Sequence, residues 1–306
     1  MPSLAQARRG LALGAIAGLG IYRPAADAAG APQPSGTDLT GVSYRVRDGQ
    51  GLTTPSLAAG AARAALRASG ANPADLELII VGTTSPDVLW PTTACLVQTE
   101  LQLPMVGSFD LYAAETSLLA ALNVGIRYIG AGARAVLLIG VESNNQLVDL
   151  PGQGGASRGR AAAAAVLTRA GGDDGLLSTM AGGAARPDVN GDADRTVLQG
   201  LRDGAAECLG KAGLTMSDID LVIGEQSAPE IMHAWSKWAG VSPSRLLLDP
   251  ARYGSILSAA PLTALHDAVR AGRLQNGMTA LLLACGRGPT WAAACLRWGG
   301  AGMAEW

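Results

Sequence analysis

The chain has 306 residues, of which 48% are hydrophobic and only 16% are charged, and its formal net charge is −2. This composition supports a large buried core and excludes an intrinsically disordered chain. With a single phenylalanine and 41 glycines, the core must consist of small residues in close contact. Because no segment is rich in lysine or arginine, we predict neither a nucleic-acid partner nor a membrane partner.

The first apolar segment, residues 10–21 (GLALGAIAGLGI), follows Arg8 and Arg9. A basic start before such a segment is typical of a signal peptide, but the segment also fits a buried first strand. We favour the strand, because the rest of the chain has the character of a cytosolic enzyme. No run of roughly 18 apolar residues indicates a membrane-spanning helix. We therefore expect a cytoplasmic protein.

An internal repeat relates two halves of the chain. Residues 70–80 (GANPADLELII) match residues 213–223 (GLTMSDIDLVI), which lie 143 positions later. Each segment predicts a helix that ends at glycine, a capped turn and then a buried strand. At the same offset, residues 121–127 match residues 264–270. The two halves are therefore expected to fold alike.

A second part of the repeat predicts strands at the centre of each half. Residues 135–140 (AVLLIG) match residues 280–285 (ALLLAC), 145 positions later. Short continuous apolar runs of this kind are typical of strands that are buried on both faces. Such strands require helices on either side of the sheet.

The order of helices and strands predicts βαβ units, and two such halves predict a five-layered αβαβα architecture. We place the halves at residues 1–170 and 171–306. The inner helices are expected to begin near Glu115 and Ser258, where alanine-rich sequences suit a helix held between two sheets. Residues of roughly 145–200 contain glycine- and aspartate-rich turns, and we predict that they form a linker of loops.

The four cysteines give no sign of a metal centre. Cys95, Cys208, Cys285 and Cys295 show no CxxC spacing and have no nearby histidine. This pattern predicts reduced structural thiols and no zinc site. We expect neither a metal nor another cofactor.

Several segments resemble a known family, the ketoacyl-acyl-carrier-protein synthases III. Residues 109–115 (FDLYAAE) resemble the family's FDxxAAC nucleophile segment, and residues 284–291 (ACGRGPTW) resemble its AFGGGFTW signature. Residues 81–95 resemble its substrate loop, and residues 41–47 resemble its GIRERR segment. The resemblance extends from about residue 15 to residue 298 and implies the thiolase fold.

The resemblance also implies where a catalytic triad would lie. In the family a cysteine thiolate begins the buried helix, and a histidine and an asparagine assist it. Glu115 stands at the cysteine position, Glu225 at the histidine position and Ser255 at the asparagine position. All three catalytic positions are therefore substituted, and ordinary cysteine-dependent condensation is not expected.

Other family positions bear on the oxyanion site. Gly286, Arg287 and Gly288 occupy the segment whose backbone N–H groups hold the oxyanion in the family. Arg287 replaces a glycine there, and a structural ion pair between its side chain and Glu115 is the alternative to a catalytic role for that glutamate.

Two further positions concern ligands and partners. Glu230 replaces an arginine that binds the phosphate of coenzyme A in the family, and an acid repels that phosphate. The binding of a carrier-protein arm is less affected by this change, because the phosphate of that arm lies elsewhere. Leu89 and Trp90 lie in the loop that in the family crosses the dimer interface and closes the acyl tunnel of the partner. The resemblance implies a homodimer, or a heterodimer with a homologue of the same family.

Three functions remain open from the sequence. The first is a non-condensing pseudoenzyme subunit that pairs with a cysteine-bearing homologue in polyketide or fatty-acyl biosynthesis. Alternatively, it is a divergent acyltransferase or cyclisation enzyme that uses Glu115 and Glu225 as acid and base, because two carboxylates in a dry cavity cannot both ionise cheaply. The third possibility is a binding module for an acyl-carrier protein or an acyl thioester.

Overall fold

A computed structural model describes residues 12–24, 35–37, 43–45, 52–143, 160–184, 193–253, 256–286 and 289–305. Within these ranges, no helix is both long enough and apolar enough to pass through a bilayer.

Thirteen strands and seven α-helices are described, together with short 3-10 turns. In chain order they are β1 (Ala15–Tyr22), β2 (Ser35–Thr37), β3 (Ser43–Arg45), α1 (Thr54–Ser69), β4 (Leu76–Gly82), α2 (Thr93–Glu100), β5 (Gly107–Leu111), α3 (Ser117–Gly130), β6 (Ala135–Glu142), β7 (Ala161–Thr168), β8 (Gly175–Gly183), α4 (Ala193–Ala212), β9 (Leu221–Ile223), α5 (Pro229–Ala239), β10 (Leu246–Leu247), α6 (Pro250–Tyr253), α7 (Ala260–Arg270), β11 (Thr279–Gly286), β12 (Thr290–Arg297) and β13 (Gly302–Glu305).

Two mixed sheets form the frame of the molecule. The first has the strand order β13-β1-β7-β6-β4-β5, and the second has the order β10-β9-β11-β12-β8. In the first sheet β4 runs parallel to β5 and β6, and in the second β9 runs parallel to β10 and β11. Each sheet then continues through antiparallel strands, β7 beside β6 and β12 beside β11. The two halves thus share one topology.

Three clusters of buried apolar residues fill the spaces between the layers. Helices α3 and α7 lie between the sheets, where Leu118 and Leu262 share a cluster with Leu138 and Leu282 of the two central strands. Helices α1 and α2 cover the outer face of the first sheet, and α4 and α5 cover the outer face of the second. This is the predicted five-layered αβαβα arrangement, and the predicted fold class is confirmed.

The start of each inner helix has the same unusual backbone. A 3-10 turn at Ala114–Thr116 precedes α3, and a 3-10 turn at Leu257–Ala259 precedes α7. Ala114 has φ 49° and its repeat counterpart Leu257 has φ 27°. Residues other than glycine rarely adopt positive φ, and such strain persists where the surrounding structure fixes it. The internal repeat therefore extends to the local geometry that leads into both inner helices.

The predicted linker over residues 145–200 is wrong where the structure describes strands and a helix, while residues 145–159 and 185–192 lie outside the described residues. Ala161–Thr168 and Gly175–Gly183 are strands, and a helix begins at Ala193. The first of these strands (AAAAAVLT) has weak intrinsic strand propensity, but it lies between β1 and β6 with helices on both faces. Burial on both faces selects small side chains there, and tertiary context overrides local preference.

The ends of the chain meet in the first sheet. The segment that was compared with a signal peptide forms β1, and β13 pairs parallel to it. The division of the chain after residue 170 falls between β7 and β8 and stays a prediction, since β13 lies in the first sheet although it belongs to the second half of the sequence.

Candidate active site

Glu115 lies in the turn that leads from β5 into α3. The turn is held by side-chain bonds to the backbone: the Ser117 hydroxyl donates to the Ala114 carbonyl at 2.6 Å and accepts from the Ala113 N–H at 2.9 Å. The Thr116 hydroxyl donates to the Ala113 carbonyl at 2.6 Å. These bonds fix a half-buried carboxylate at the start of the inner helix. A negative charge is favourable there because the helix dipole presents its positive end.

The Glu115 carboxylate lies against the end of β11. A Cβ atom built on Gly286 would lie 2.5 Å from Oε2 of Glu115 and 3.3 Å from its backbone nitrogen. A larger residue at this position would force the Glu115 carboxylate to shift. The first part of the predicted oxyanion segment is therefore adjacent to Glu115. Arg287 and Gly288 lie outside the described residues.

Glu225 follows strand β9 and is 2% exposed. Its Oε1 accepts bonds from the backbone N–H of Ser227 at 3.0 Å and from its hydroxyl at 2.9 Å. Its Oε2 is buried and finds no hydrogen-bond partner among the described residues. Burial raises the pKa of Glu225 to about 7, the Ser227 bonds oppose this shift, and the charge of Glu115 adds to it. The two glutamates are therefore within electrostatic reach of each other.

Cys285 precedes Gly286 in β11, but its side chain packs in the outer cluster against α4, and its thiol is not activated. The residue is buried next to Gly286. Burial raises its pKa, and the charges of Glu225, Glu115 and Asp194 raise it further. A thiol must ionise to act as a nucleophile. Cys285 therefore does not replace the missing catalytic cysteine.

Ser255 lies outside the described residues, but the residues around it are anchored. The Tyr253 hydroxyl donates to Asp267 at 2.9 Å, and Arg23 and Arg252 bind the same carboxylate at 2.8 and 2.6 Å. Because of these cations, Asp267 is not expected to bind a metal with the neighbouring His266 and Glu305. The sequence did not indicate this network, because its members come from α6, α7 and both ends of the chain.

The sequence analysis did not predict a second buried carboxylate, that of Glu142. Glu142 ends β6 and accepts bonds from the Thr84 N–H at 3.0 Å, from its hydroxyl at 2.8 Å and from the Ser85 hydroxyl at 2.8 Å. Burial raises its pKa. The sequence signal was present, since an acid directly follows the apolar run of residues 135–141. Its contacts indicate that it holds the loop after β4 in place.

The loop that carries Leu89 and Trp90 has a fixed base and an exposed tip. Asp87 accepts from the Thr54 backbone N–H at 2.7 Å, and on the other side Asp110 of β5 accepts from the Thr93 N–H at 2.7 Å. The side chains of Leu89 and Trp90 are 70% and 86% exposed. The loop therefore lies beside β5, which is the edge strand of the first sheet.

The structure thus brings Glu115, Glu225 and Gly286 together and places Leu89 and Trp90 at a separate surface. The roles assigned to these residues stay predictions.

Comparisons with known proteins agree with this architecture. A family model described as 3-oxoacyl-[acyl-carrier-protein] synthase III C terminal matches residues 209–298. The chain is 32% identical over 285 residues to the beta-ketoacyl-[acyl-carrier-protein] synthase III of Xanthomonas campestris pv. campestris, covering 85% of this chain and 88% of that protein. It is 30% identical to the enzyme of Aquifex aeolicus, covering 86% and 89%.

Solved structures give the same result. The crystal structure of the Aquifex aeolicus synthase III superposes with a TM-score of 0.75 at 27% identity, covering 93% of this chain and 100% of that one. The Thermus thermophilus enzyme gives a TM-score of 0.74 at 28% identity, covering 94% and 100%. From sequence identity over nearly its full length and from its fold, the chain belongs to the β-ketoacyl-[acyl-carrier-protein] synthase III family.

Proposed function

We propose that this protein is a non-condensing member of the synthase III family that acts as the partner subunit of a cysteine-bearing homologue in fatty-acyl or polyketide assembly. The observation that carries the proposal is the carboxylate of Glu115, which stands at the nucleophile position with its Oε2 against Gly286. A carboxylate is a weak nucleophile toward a thioester, and its acyl product would be a mixed anhydride that water cleaves readily.

The surrounding residues support a loss of condensing chemistry. Glu225 offers a carboxyl group where the family offers an imidazole, so it cannot donate the same N–H to a developing enolate. Cys285, the residue before Gly286, packs against the outer helices, and its pKa is raised. A non-condensing subunit needs the family fold and its interface with the partner. It does not need a nucleophile.

The surface beside β5 supports the pairing. Leu89 and Trp90 are exposed next to an edge strand whose outer N–H and C=O groups have no strand partner within the described chain. Met105 before β5 and Tyr112 after it are 100% and 71% exposed. Exposed apolar side chains around an open edge are typical of an interface. We infer that a second subunit of the same fold covers this surface.

The test is co-expression with a cysteine-bearing homologue from the same genome, followed by purification of the complex. We expect the complex to condense an acyl thioester with a malonyl carrier protein. Intact-mass spectrometry should find the acyl group only on the homologue. If this chain acquires the acyl group by itself, or the two chains do not associate, the proposal is wrong.

A single substitution tests the reading of the site. Glu115→Cys returns a thiol to the start of α3, but it does not return the imidazole or the amide. We therefore expect acylation of the new thiol at most, with malonyl condensation remaining at least 100-fold below that of a cysteine-bearing homologue. Robust condensation by this variant alone would show that the changes at Glu225 and Ser255 do not prevent condensation.

One observation favours a second candidate function, acid–base catalysis by the glutamate pair. Oε2 of Glu225 is buried and unpartnered, and a pKa of about 7 is suited to proton transfer at neutral pH. The protonated Glu225 would act as the acid and Glu115 as the base in acyl transfer to an amine or hydroxyl. This function requires turnover by the chain alone, with a pH profile that breaks near 7 and is lost in Glu225→Gln.

A further inference from the structure

The loop after β4, residues 83–91, is anchored by a buried carboxyl group, that of Glu142 at the end of β6. We call this loop, which carries Trp90, the partner loop. Glu142 is 1% exposed and accepts three hydrogen bonds from Thr84 and Ser85 of the partner loop, at 2.8 to 3.0 Å. A displacement of the loop would leave this buried carboxyl group without those donors, which is costly. The loop is therefore tied to β6.

The anchor also reaches the start of α1. The N–H of Ser143 donates to the Ser85 hydroxyl at 3.0 Å, and the Ser143 hydroxyl donates to the Ser85 carbonyl at 3.2 Å. The hydroxyl of Thr54, the first residue of α1, donates to the same carbonyl at 2.8 Å. All three residues are fully buried. Since a buried network of this kind is stable only when its bonds are made together, the base of the partner loop is fixed to both β6 and α1.

The same end of β6 lies against the turn that begins α7. Alternate residues of β6 face the inner layer, and Gly140 and Glu142 continue the face that begins with Val136 and Leu138. A Cβ atom on Gly140 would collide with the carbonyl oxygen of Ser258 in that turn. Burial raises the pKa of Glu142, and the bonds from the partner loop and the nearby Ser258 hydroxyl oppose this rise. Glu142 thus lies between the partner loop and the second inner helix.

The turn of Ser258 packs against the turn of Glu115, which is its counterpart in the repeat. The end of β4 reaches the Glu115 turn directly, since a Cβ atom on Gly82 would lie 2.9 Å from the Cβ of Ser117, whose hydroxyl holds that turn. Each turn contains a residue with positive φ, so its backbone depends on the surrounding structure. Because close-packed contacts leave little room, a shift at the ends of β4 and β6 displaces both turns.

We propose that Glu142 is a positioning residue that couples the partner loop to the turn of Glu115, so that a subunit bound on the loop fixes the geometry of the glutamate site. This inference rests on the proposed function and adds a means by which the partner controls the site. Such coupling is reciprocal, so a displaced turn also weakens the association. Glu142 itself is too deeply buried to contact a partner.

The first test is hydrogen–deuterium exchange of the isolated full-length chain, measured by mass spectrometry of its peptides. Glu142→Gln keeps the size of the side chain but places an NH₂ group where the carboxylate accepts bonds. We expect amide exchange to become at least 10-fold faster in residues 84–90 and also in residues 113–117, while exchange in β12 stays as in the wild type. A residue that only held the loop would change residues 84–90 alone, and a general loss of stability would change β12 as well. Either of these results would overturn the proposal.

Ser178→Ala is the matched control, because the buried Ser178 hydroxyl donates to the Cys208 carbonyl at 2.7 Å on the outer side of the second sheet. It should leave exchange in residues 84–90 and 113–117 unchanged. Ser85→Ala is a milder second variant, which removes one donor and keeps the carboxyl group. It should speed exchange in both segments at least 3-fold, and it keeps the test decisive if the Glu142 variant does not fold.

The second test repeats the exchange measurement with the chain saturated by its partner subunit. In the wild type, association should slow exchange in residues 113–117 at least 10-fold. In Glu142→Gln it should protect residues 84–90 but not residues 113–117, and equal protection of residues 113–117 in both proteins would overturn the proposal. A chain that never associates contradicts the proposed function together with control of the site by a partner, whereas unchanged exchange in residues 113–117 of isolated Glu142→Gln contradicts the coupling alone.

Discussion

Two glutamates that share one site have different surroundings, and this difference sets their chemistry. Glu225 is buried among atoms that solvate a charge poorly, while Glu115 is half-buried at the N-terminal end of a helix. Burial raises the pKa of Glu225 to about 7 and so favours its protonated form.

The raised pKa of Glu225 makes the stability of the protein depend on pH. The group has a pKa of about 7 in the folded chain against an ordinary value of 4.5. The folded state holds this proton more tightly, so the stability from Glu225 is complete below pH 4.5 and is lost as pH rises toward 7. The total is at most about 3 kcal/mol. Glu225→Gln should remove this decline, as measured by urea unfolding between pH 4.5 and 8.

Glu230→Gln, on the exposed face of α5, serves as the control for the pH experiment. It should leave the pH dependence of the wild type unchanged. A Glu225→Gln variant whose stability falls with pH as steeply as that of the wild type would contradict the assigned burial of this carboxyl group.

The contact between Gly286 and Glu115 predicts a coupled pair of substitutions. Gly286→Ala places a methyl group against the Glu115 carboxylate, which must shift, and should cost about 1 kcal/mol of unfolding free energy. Glu115→Ala removes the obstructing oxygen, so the double variant should recover part of that loss. A double-mutant cycle by chemical denaturation measures the coupling. If the losses of unfolding free energy in the two single variants simply add in the double variant, residues 115 and 286 are not in contact.

At the scale of elements, the abundance of glycine and alanine follows from how closely the layers approach. A Cβ on Gly18 or Gly20 of β1 would meet the backbone of α1 near Ala65, and a Cβ on Gly302 of β13 would meet Ala68. Helix α1 therefore rests directly on the strand backbones. Large side chains in either element would force the layers apart.

Gly20→Ala tests this contact, because the neighbouring atoms are backbone and cannot rotate away. We expect a loss of about 1–3 kcal/mol in the free energy of unfolding, measured in urea. Gly171→Ala lies in the turn between β7 and β8, where an added Cβ meets nothing within 4 Å, and is the matched control. Equal stability of the two variants would mean that α1 and β1 are further apart than described.

Elements also show where prediction from sequence fails. The inner helices and the central strands were predicted from their apolar patterns and from the repeat. Strand β7 was not, because a run of five alanines carries no period of two and favours helix locally. Its assignment as a strand depends on pairing with β1 and β6, which lie far away in the sequence.

At the scale of the whole molecule, β5 is an edge strand that has no partner on its outer side within the described part of the chain. The edge strand, the exposed Leu89 and Trp90 and the fixed base of their loop form one surface. An apolar surface of this kind next to unpaired strand edges tends to associate. We therefore expect the protein to function through association at this surface as well as through the glutamate site.

Trp90→Ser should weaken the association, whether the partner is a second copy or a homologue. We expect at least a 10-fold increase in the dissociation constant, measured by light scattering or sedimentation across a concentration series. Trp238→Ser removes an exposed tryptophan from α5, which is 53% exposed and lies away from β5, and should leave association unchanged. A wild-type chain that stays monomeric alone and with its homologue would exclude the proposed subunit role.

The sequence by itself predicted the layer architecture and the repeat, because apolar patterns and repeat spacing are local properties of the chain, while the substituted positions are what its resemblance to the family implies. Tertiary structure alone decided that Glu225 loses its water, that Glu115 touches Gly286 and that β13 joins β1. It also decided that Glu142 lies between the loop after β4 and the start of α7. Burial, pKa and side-chain contacts depend on which distant segments meet, and this information exists only once the two sheets have closed on the inner helices.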